Sequence, residues 1–365
     1  MKKYVKDAVK ELQNSDQRTI EITLKNKNDY KKNFLRLLYN KFILALQTRI
    51  VPSHIKNFIL RTTGMNVGHD VCFPHYIKID PYFPELIYLE KGCIVGGDSR
   101  IITHEVKGNK LKLGKVTIKE RALVGGVTTL KPGFVLNKSA MLMFFSDYDK
   151  EVPEGELWGG KPARLLKKFT EEEIEKYHKP SIHDKNYYKT FRKQVKEFLK
   201  DPERMYFKVH YNGKRLNAGD DWWRARNIFK IFYNGIIVEI TRLMPHSFLK
   251  TFLYRMMGLK IGKNCRIEKG VVFDHLYGDI IKLEDNVTIE HDCYLDGHEY
   301  TITQTVFGKI LLKKGCHLKH HSFVRAATTI GENSVIESYS LAQREIPPNE
   351  VWGGMPAKFI KKQYI

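Results

Sequence analysis

An aliphatic residue recurs every six positions in two long stretches of this sequence, and a residue that is usually small follows each one four places later. Ile289 with Cys293, Leu312 with Cys316 and Leu318 with Ser322 are examples. Neither the 3.6-residue period of a helix nor the simple alternation of an ordinary strand describes these stretches. A six-residue period indicates short strands stacked as the coils of a parallel β-helix. The aliphatic side chain would fill the interior, and the small one would fit a corner.

The two stretches are copies of each other. Residues 64–168 align with 258–362 at a constant offset of 194, without a gap and with about 23 identities in 105 positions. Upstream, 5–24 matches 191–210 at an offset of 186, a match that pairs Arg18 with Arg204. We therefore predict three segments. They are a first copy at 1–168, a linker at 169–186 in which Thr170 opens a short helix through a capping box, and a second copy at 187–365.

Each copy begins with a helix, a short strand and a pair of amphipathic helices. In the first copy the pair covers 34–49 and 52–61, and in the second it covers 226–243 and 245–257. Basic residues stand among apolar ones in the first pair, namely Arg36, Lys41, Arg49, Lys56 and Arg61. Such helices either contact a membrane surface peripherally or pack on the neighbouring domain with a solvated basic face. We favour the second interpretation.

Composition limits the class of protein and its partners. The chain has 365 residues, of which 42% are hydrophobic, so it suits two ordinary domains and is not a disordered chain. Lys and Arg outnumber Asp and Glu by 62 to 41, which suggests an anionic partner. No helix-turn-helix, zinc-finger or RNA-binding signature accompanies this charge, so we do not expect nucleic acid. The longest apolar run, 228–244, is interrupted by Lys230 and Glu239, and the amino terminus lacks an apolar signal core. These features predict a cytoplasmic protein without a membrane span.

The five cysteines follow the same six-residue pattern. Four of them occupy the small position and Cys72 lies one place beyond it; the four are Cys93, Cys265, Cys293 and Cys316. We interpret all five as small core residues in a reducing compartment, not as a disulfide framework or a zinc site.

A known family combines these features. The six-residue repeat, a His just before a loop, and a closing Gly-x-Pro-Ala-Lys/Arg at 160–164 and 354–358 resemble the hexapeptide-repeat acyltransferases, which include galactoside, maltose and xenobiotic acetyltransferases. The preceding helices resemble those of polysaccharide O-acetyltransferases. The resemblance implies a mainly β fold of two tandem left-handed parallel β-helices, an exception to right-handed crossovers. It also implies trimeric layers, with acetyl-CoA in grooves between neighbouring β-helices.

The resemblance also implies a catalytic base. The family places a His where a loop leaves the β-helix, and His104 and His298 stand at that point. A neutral alcohol is a poor nucleophile, and an imidazole can accept its proton near pH 7. Asp80 and Asp274, 24 residues before each His, would bind the acceptor or orient the imidazole. The alternatives are a loop-edge His that bonds to backbone and an Asp that only shapes a turn.

Further positions match the cofactor contacts of the family. The resemblance implies that Gly125 and Gly126 line the pantetheine arm, and that basic residues meet the phosphates. The matching positions are Lys150, Arg164, His320, Ser338, Arg344 and Lys358. The basic ones could equally form a solvated face. Because the bulky Phe144 stands where the second copy has Ser338, we predict that the second copy binds CoA better.

Three functions compete at this stage. The first is CoA-dependent acyl transfer, in the first place acetyl transfer, to a hydroxyl or amine of a saccharide-like small molecule or glycan. The second is a β-helical scaffold or binding module without activity. The third is a metalloprotein like the γ-carbonic anhydrases, suggested by His317, His320 and His321. The first copy has no His at these three positions, so we expect acetyl-CoA as co-substrate and no metal.

Overall fold

The computed structural model describes residues 1–160, 162–178, 186–213 and 218–363. The chain forms two compact units. One comprises Met1–Ser181 with two short later segments, Gly213–Asp220 and Thr301–Thr303, and the other comprises Ile182–Asn212, Asp221–Tyr300 and Gln304–Ile365. The boundaries 1–168, 169–186 and 187–365 stay a prediction. Part of that predicted linker, 179–185, lies outside the described residues.

Strands of two to five residues form the coils of the first unit. The first sheet contains Asn66–Val67, Ile87–Leu89, Val116–Ile118, Val135–Leu136 and Glu151–Val152. The second contains Ile94–Val95, Leu123–Val124, Met141–Leu142 and Glu156–Gly159, with Arg164–Lys168 paired antiparallel at its edge. The third contains Lys78–Ile79, Arg100–Ile101, Thr129–Leu130 and Asp147–Tyr148. The chain visits the three sheets in turn and the other pairs are parallel, which makes this unit a parallel β-helix.

The second unit repeats this plan with strands at the positions 194 residues later. Its first sheet contains Lys260–Ile261, Ile281–Leu283, Ile310–Leu312, Thr328–Ile330 and Glu345–Ile346. Its second contains Arg266–Ile267, Thr288–Ile289, His317–Leu318, Val335–Ile336 and Glu350–Gly353, with Lys358–Lys362 antiparallel at the edge. Its third contains Val272–Phe273, Tyr294–Leu295, Phe323–Val324 and Leu341–Ala342.

The six-residue pattern arises, as predicted, from an apolar interior and tight corners between the strands. The aliphatic residues point into the coils, and Ile118, Leu136, Ile289 and Leu312 are all fully buried. Interiors of proteins are close-packed, so only small side chains fit at the tight corners between strands. The five cysteines are buried, which confirms their interpretation as core residues.

A β-hairpin interrupts each β-helix after the third sheet. The hairpins are His104–Lys107 with Lys110–Gly114, and His298–Tyr300 with Gln304–Gly308, and each is joined by an earlier strand, Thr19–Thr23 or Tyr206–His210. The register pairs Thr19 with Gly114 and Tyr206 with Gly308. The two earlier strands are therefore 187 positions apart, so the predicted pairing of Arg18 with Arg204 is wrong by one residue.

Eight α-helices lie within the described residues. They are α1 (Lys3–Asn14), α2 (Phe34–Leu46), α3 (His54–Arg61), α4 (Glu171–His178), α5 (Tyr187–Lys200), α6 (Trp222–Ala225), α7 (Ile228–Leu243) and α8 (Phe248–Met257). Before α4, the Thr170 and Glu173 side chains each accept a hydrogen bond from the other's backbone N–H, so the capping box is formed. None of the helices in the described ranges is long and apolar enough to cross a bilayer.

One basic residue that we placed on the surface of the first helix pair is buried. Lys56 is 0% exposed, and its Nζ donates to the carbonyls of Ile50 at 3.0 Å and Pro74 at 2.7 Å. Burial lowers the pKa of Lys56 to about 7. In the second unit, Lys250 donates to the Met244 carbonyl in the same way. Each lysine donates hydrogen bonds to backbone carbonyls near the start of its helix. Lys56 therefore does not belong to a basic surface.

Candidate functional site

The β-helix brings Asp80 and His104 together in the first unit. Asp80 follows the strand Lys78–Ile79, and its N–H donates to the Ile101 carbonyl of the next coil at 3.0 Å. His104 begins the hairpin just after that coil. A separation of 24 residues along the chain thus becomes one coil step in space. The imidazole Nδ1 of His104 is hydrogen-bonded to Oδ2 of Asp80.

The Asp80 carboxylate is buried and well bonded. Thr103 Oγ1 donates to its Oδ2 at 2.7 Å, and the Tyr82 N–H donates to its Oδ1 at 2.9 Å. Burial alone would raise the pKa of Asp80, but the hydrogen bond and charge of His104 outweigh it and lower the pKa. The ionised carboxylate therefore holds the imidazole in one orientation.

The second unit contains the same pair. His298 Nδ1 lies 2.6 Å from Asp274 Oδ2, and the Gly297 N–H donates to that oxygen at 3.1 Å. The N–H groups of Leu276 and Tyr277 both donate to Oδ1 at 2.8 Å. The Asp274 side chain is 0% exposed and that of His298 is 8% exposed. The carboxylate is thus fixed by backbone as well as by the imidazole.

A second acidic residue beside the imidazole, Asp296, distinguishes the second unit. Its Oδ1 lies 3.2 Å from His298 Nδ1. Because Phe273 pairs with Leu295, Asp274 and Asp296 occupy the same place on consecutive coils. The sequence analysis missed Asp296, although an Asp two residues before His298 was a visible signal. The first unit has Ile102 there.

The carboxylates determine the pKa of His298. Burial favours the neutral imidazole and would lower the pKa, but the charges of Asp274 and Asp296 outweigh burial and raise it well above the usual value. Nearby, burial lowers the pKa of His275 to about 4, and the two rings meet edge-on with centroids 6.1 Å apart. His275 is a second residue that the sequence analysis missed, since the first unit has Pro81 at that position.

This arrangement suits proton transfer. A carboxylate that accepts the Nδ1 proton leaves the lone pair on Nε2, so Nε2 becomes the proton acceptor. Aromatic rings surround His104, with the centroids of Tyr30, Tyr82 and Phe83 5.2–5.4 Å away. In both units, a His–Asp pair oriented in this way can act as a general base once the imidazole is neutral, and in the second unit the raised pKa of His298 moves that point to higher pH.

The predicted cofactor positions do not gather around the His within one β-helix. The structure separates them into three places. Gly125, Gly126, His320 and Ser338 lie at turns between the second and third sheets. Lys150 and Arg344 follow the third sheet, at the edge where the His104 and His298 hairpins leave. Arg164 and Lys358 begin the antiparallel edge strands.

The packing of the next coil explains why Gly125 and Gly126 have no side chain. A Cβ on Gly125 would lie 2.4 Å from the Phe144 backbone nitrogen, so the next coil excludes any side chain there. A Cβ on Gly126 would lie 3.3 Å from Cδ1 of Phe144, so that ring lies against Gly126. Gly126 and the ring are therefore in contact at the position where the sequence analysis predicted an obstruction.

His320 occupies the corresponding turn of the second unit. Its ring is stacked on His291 with centroids 5.0 Å apart and an interplanar angle of 1°. Tyr339 meets it edge-on at 5.4 Å. The ring therefore has aromatic neighbours on the coils before and after it, and displacing it would cost these contacts.

The three histidines considered for a metal do not converge. His317 Nε2 is hydrogen-bonded to Glu290 Oε1 at 2.8 Å. Within the described ranges, the groups whose ligand atoms lie within 4.8 Å of one another are different sets: His291, Asp292 and His321, and Asp274, Asp296 and His298. Within the described part of one chain, the ligand atoms of His317, His320 and His321 are thus not among the sets that lie together; a zinc site that joins such histidines across a subunit boundary stays untested.

A parallel β-helix with a six-residue repeat is the fold of the hexapeptide-repeat acyltransferases. Comparison with known proteins agrees, although no protein-family profile matches the chain. The chain is 32% identical over 150 residues to the Bacillus subtilis protein named "Putative acetyltransferase YvoF", covering 40% of this chain and 86% of that protein. It therefore belongs to the hexapeptide-repeat acetyltransferase family.

Two other similarities are more limited. Gamma carbonic anhydrase 2 of Arabidopsis thaliana is 38% identical over 69 residues, which is 18% of this chain and 25% of that protein. The solved hexapeptide-repeat acetyltransferase of Vibrio cholerae in complex with acetyl-CoA matches with a TM-score of 0.34 and 16% identity. That match covers 39% of this chain and 92% of the other.

Proposed function

We propose that this protein transfers an acyl group, in the first place acetyl, from a CoA thioester to a hydroxyl or amine of a saccharide-like acceptor. The observation that carries the proposal is the hydrogen bond of 2.6 Å between His298 and the buried Asp274. A β-helical scaffold without activity would not need a buried carboxylate to orient an imidazole at a hairpin root.

The residues of the site would act as follows. Nε2 of His298 accepts the proton of the acceptor hydroxyl while that oxygen attacks the thioester carbonyl. The C–S bond then breaks, and the imidazolium returns the proton to the departing CoA thiolate. Asp274 keeps the proton on Nδ1 and stabilises the imidazolium. His104 and Asp80 would do the same in the first unit.

The predicted cofactor positions lie in three separate places on one β-helix. We propose that a second β-helix brings the missing part of the site to each of them. On this proposal, Gly125, Gly126, His320 and Ser338 line the pantetheine arm. The basic residues Lys150, Arg164, Arg344 and Lys358 meet its phosphates. We further propose left-handed coils, tandem copies of one domain, and an oligomer with trimeric layers.

The oligomer is tested by analytical ultracentrifugation. We expect three chains, or a multiple of three, at micromolar concentration, because one β-helix does not gather the site by itself. A monomer at that concentration would contradict the proposal. So would a structure of the oligomer in which the two copies of one chain pair only with each other.

The activity is tested by release of free CoA from acetyl-CoA with a broad panel of sugar and amine acceptors, together with calorimetry of CoA binding. We expect micromolar to millimolar binding, the usual range for enzyme substrates. Absence of CoA binding would favour the inactive scaffold. Stoichiometric zinc would favour the metalloprotein.

The second carboxylate gives a prediction about pH. Removing the charge of Asp296 with Asp296→Asn lowers the pKa of His298, so the neutral base forms at lower pH. The rising limb of kcat/KM against pH should therefore move to lower pH in this variant. The background is His104→Ala, so that the second unit alone is measured. An unshifted limb would show that Asp296 does not act on the base.

We also propose a cytoplasmic location and, in place of the packing on a neighbouring domain that the sequence favoured, peripheral membrane contact through the helix pairs, because these helices expose large apolar side chains. The burial of all five cysteines as core residues without a disulfide supports the cytoplasmic location, because structural disulfides are rare in reducing compartments.

A further inference from the structure

The helix pair α2–α3 places polar side chains where a surface helix normally places apolar ones. Asn40 Nδ2 donates to the Pro81 carbonyl at 2.8 Å, Gln47 Nε2 to that of Ile77 at 2.8 Å and Asn57 Nδ2 to that of Val71 at 2.9 Å. All three amides are at most 2% exposed. The inner face thus supplies hydrogen bonds to carbonyls that lie within the first coil or just after it.

The outer face of the same pair is apolar. Its large exposed side chains are Phe34 at 74%, Leu35 at 71%, Phe42 at 63%, Ile55 at 69% and Phe58 at 66% exposure. Soluble proteins rarely expose a contiguous set of large apolar residues, and such a set marks a protein or membrane contact.

In the second unit, α7–α8 also bury polar side chains and expose apolar ones. Asn234, Thr241 and Lys250 are 0% exposed on the inner side. The exposed apolar residues are Phe229 at 80%, Phe232 at 52%, Ile236 at 59%, Leu249 at 54%, Phe248 at 80% and Phe252 at 46%. Both units therefore present an outward apolar face.

A comparison of the two faces indicates what covers them. At the offset of 194, Leu35 corresponds to Phe229, Phe42 to Ile236 and Ile55 to Leu249. At these three pairs the residues stay apolar while the shapes of the side chains change, whereas Phe58 corresponds to an identical Phe252 and His54 stands where the second unit has Phe248. A fitted protein interface depends on shape complementarity. A hydrocarbon phase requires only that the residues be apolar.

The charge around the two apolar faces also indicates that a membrane covers them. Residues 31–61 contain seven Lys and Arg and no Asp or Glu, and 224–255 contain six Lys and Arg and one Glu. Lys56 and Lys250 are fully buried. Lys32 is paired with Glu85 and Arg226 with Asp279, so the charge that a membrane would meet comes from the other basic residues. An apolar helix face with basic residues around it binds the interface of a membrane that carries anionic lipids.

We infer that α2–α3 and α7–α8 are two membrane-interface surfaces, which insert the outer apolar residues between the headgroups of an anionic bilayer while the β-helices stay in water. The helices lie in the membrane plane, since α7, the longest of them, has only 16 residues. The inference makes the proposed peripheral contact specific and does not depend on catalysis.

The test is co-sedimentation of the full chain with vesicles, without CoA. Vesicles of phosphatidylcholine with one third phosphatidylglycerol should bind the protein. Pure phosphatidylcholine should bind it at least tenfold more weakly, and 0.5 M NaCl should weaken binding to the anionic vesicles. The variant carries Leu35→Glu, Phe42→Glu and Phe58→Glu, with Phe229→Glu, Ile236→Glu and Phe252→Glu in the second unit. We expect it to lose at least tenfold in vesicle affinity.

A matched control carries Ile360→Glu, another apolar residue with 54% exposure that lies outside the helices. It should bind vesicles like the natural chain. Thermal unfolding monitors both proteins, and exposed positions should tolerate Glu. The inference is overturned if the natural chain ignores anionic vesicles, or if the six Glu residues leave binding unchanged. It is also overturned if they abolish self-association of a chain that does not bind lipid, because the faces would then join copies of the protein. None of these results depends on CoA turnover.

Discussion

His298→Ala is expected to lower turnover by roughly 10²-fold or more, the usual scale for losing a general base. His104→Ala should cost less than tenfold. The difference follows from the cofactor groove, since the Phe144 ring lies against Gly126 in the first unit. The Phe144 ring is half-buried, and moving it away would lose its contact with Gly126. We therefore expect most of the activity in the second unit, where Ser338 occupies the equivalent position.

Turnover of acetyl-CoA at saturating acceptor measures both variants, with CoA binding by calorimetry as the control for folding. Binding should be retained in each, because the imidazole acts on the acceptor proton. Loss of turnover in His104→Ala with an intact His298→Ala would reverse the assignment of the active unit. Full activity in the double variant would show that neither imidazole is the base.

The second large effect is expected for Asp274→Asn. An amide nitrogen placed at 2.6 Å from Nδ1 would donate to it and favour the imidazole with its proton on Nε2, which cannot act as the base. Asp296, 3.2 Å from Nδ1, can still hold the proton there in the remaining fraction, which keeps residual activity. We expect a loss of about 10–10²-fold in kcat, smaller than or equal to that of His298→Ala. Because the charge is lost, the pKa of His298 should also fall, and the pH profile should shift to lower pH.

Asp274→Asn is compared with Asp80→Asn, which makes the same change in the first unit and should cost less than tenfold. Combining Asp274→Asn with His298→Ala should lower turnover no further than His298→Ala alone, because the two residues act as one unit. Additive losses, or an unchanged pH profile in the single variant, would mean that Asp274 contributes only to folding.

The sequence predicted the coils because one physical requirement, a filled interior with tight corners, repeats in every turn. It also predicted which Asp and His to examine, and the coil step explains why residues 24 apart meet. Asp296 and His275 were missed because the first copy has Ile102 and Pro81 there, so internal repetition gave no signal. Lys56 was misplaced because a pattern of charges does not show which side chain meets backbone carbonyls.

A parallel β-helix has no intrinsic length, since each coil offers its backbone groups to another coil. The strands Arg164–Lys168 and Lys358–Lys362 end this series, because each runs antiparallel along the last strand of a second sheet. Every residue of both strands is exposed, and Lys167, Lys168, Lys361 and Lys362 add charge to them. A charged strand is a poor template for another chain. These two strands therefore protect a stacked fold from growing end to end into a fibre.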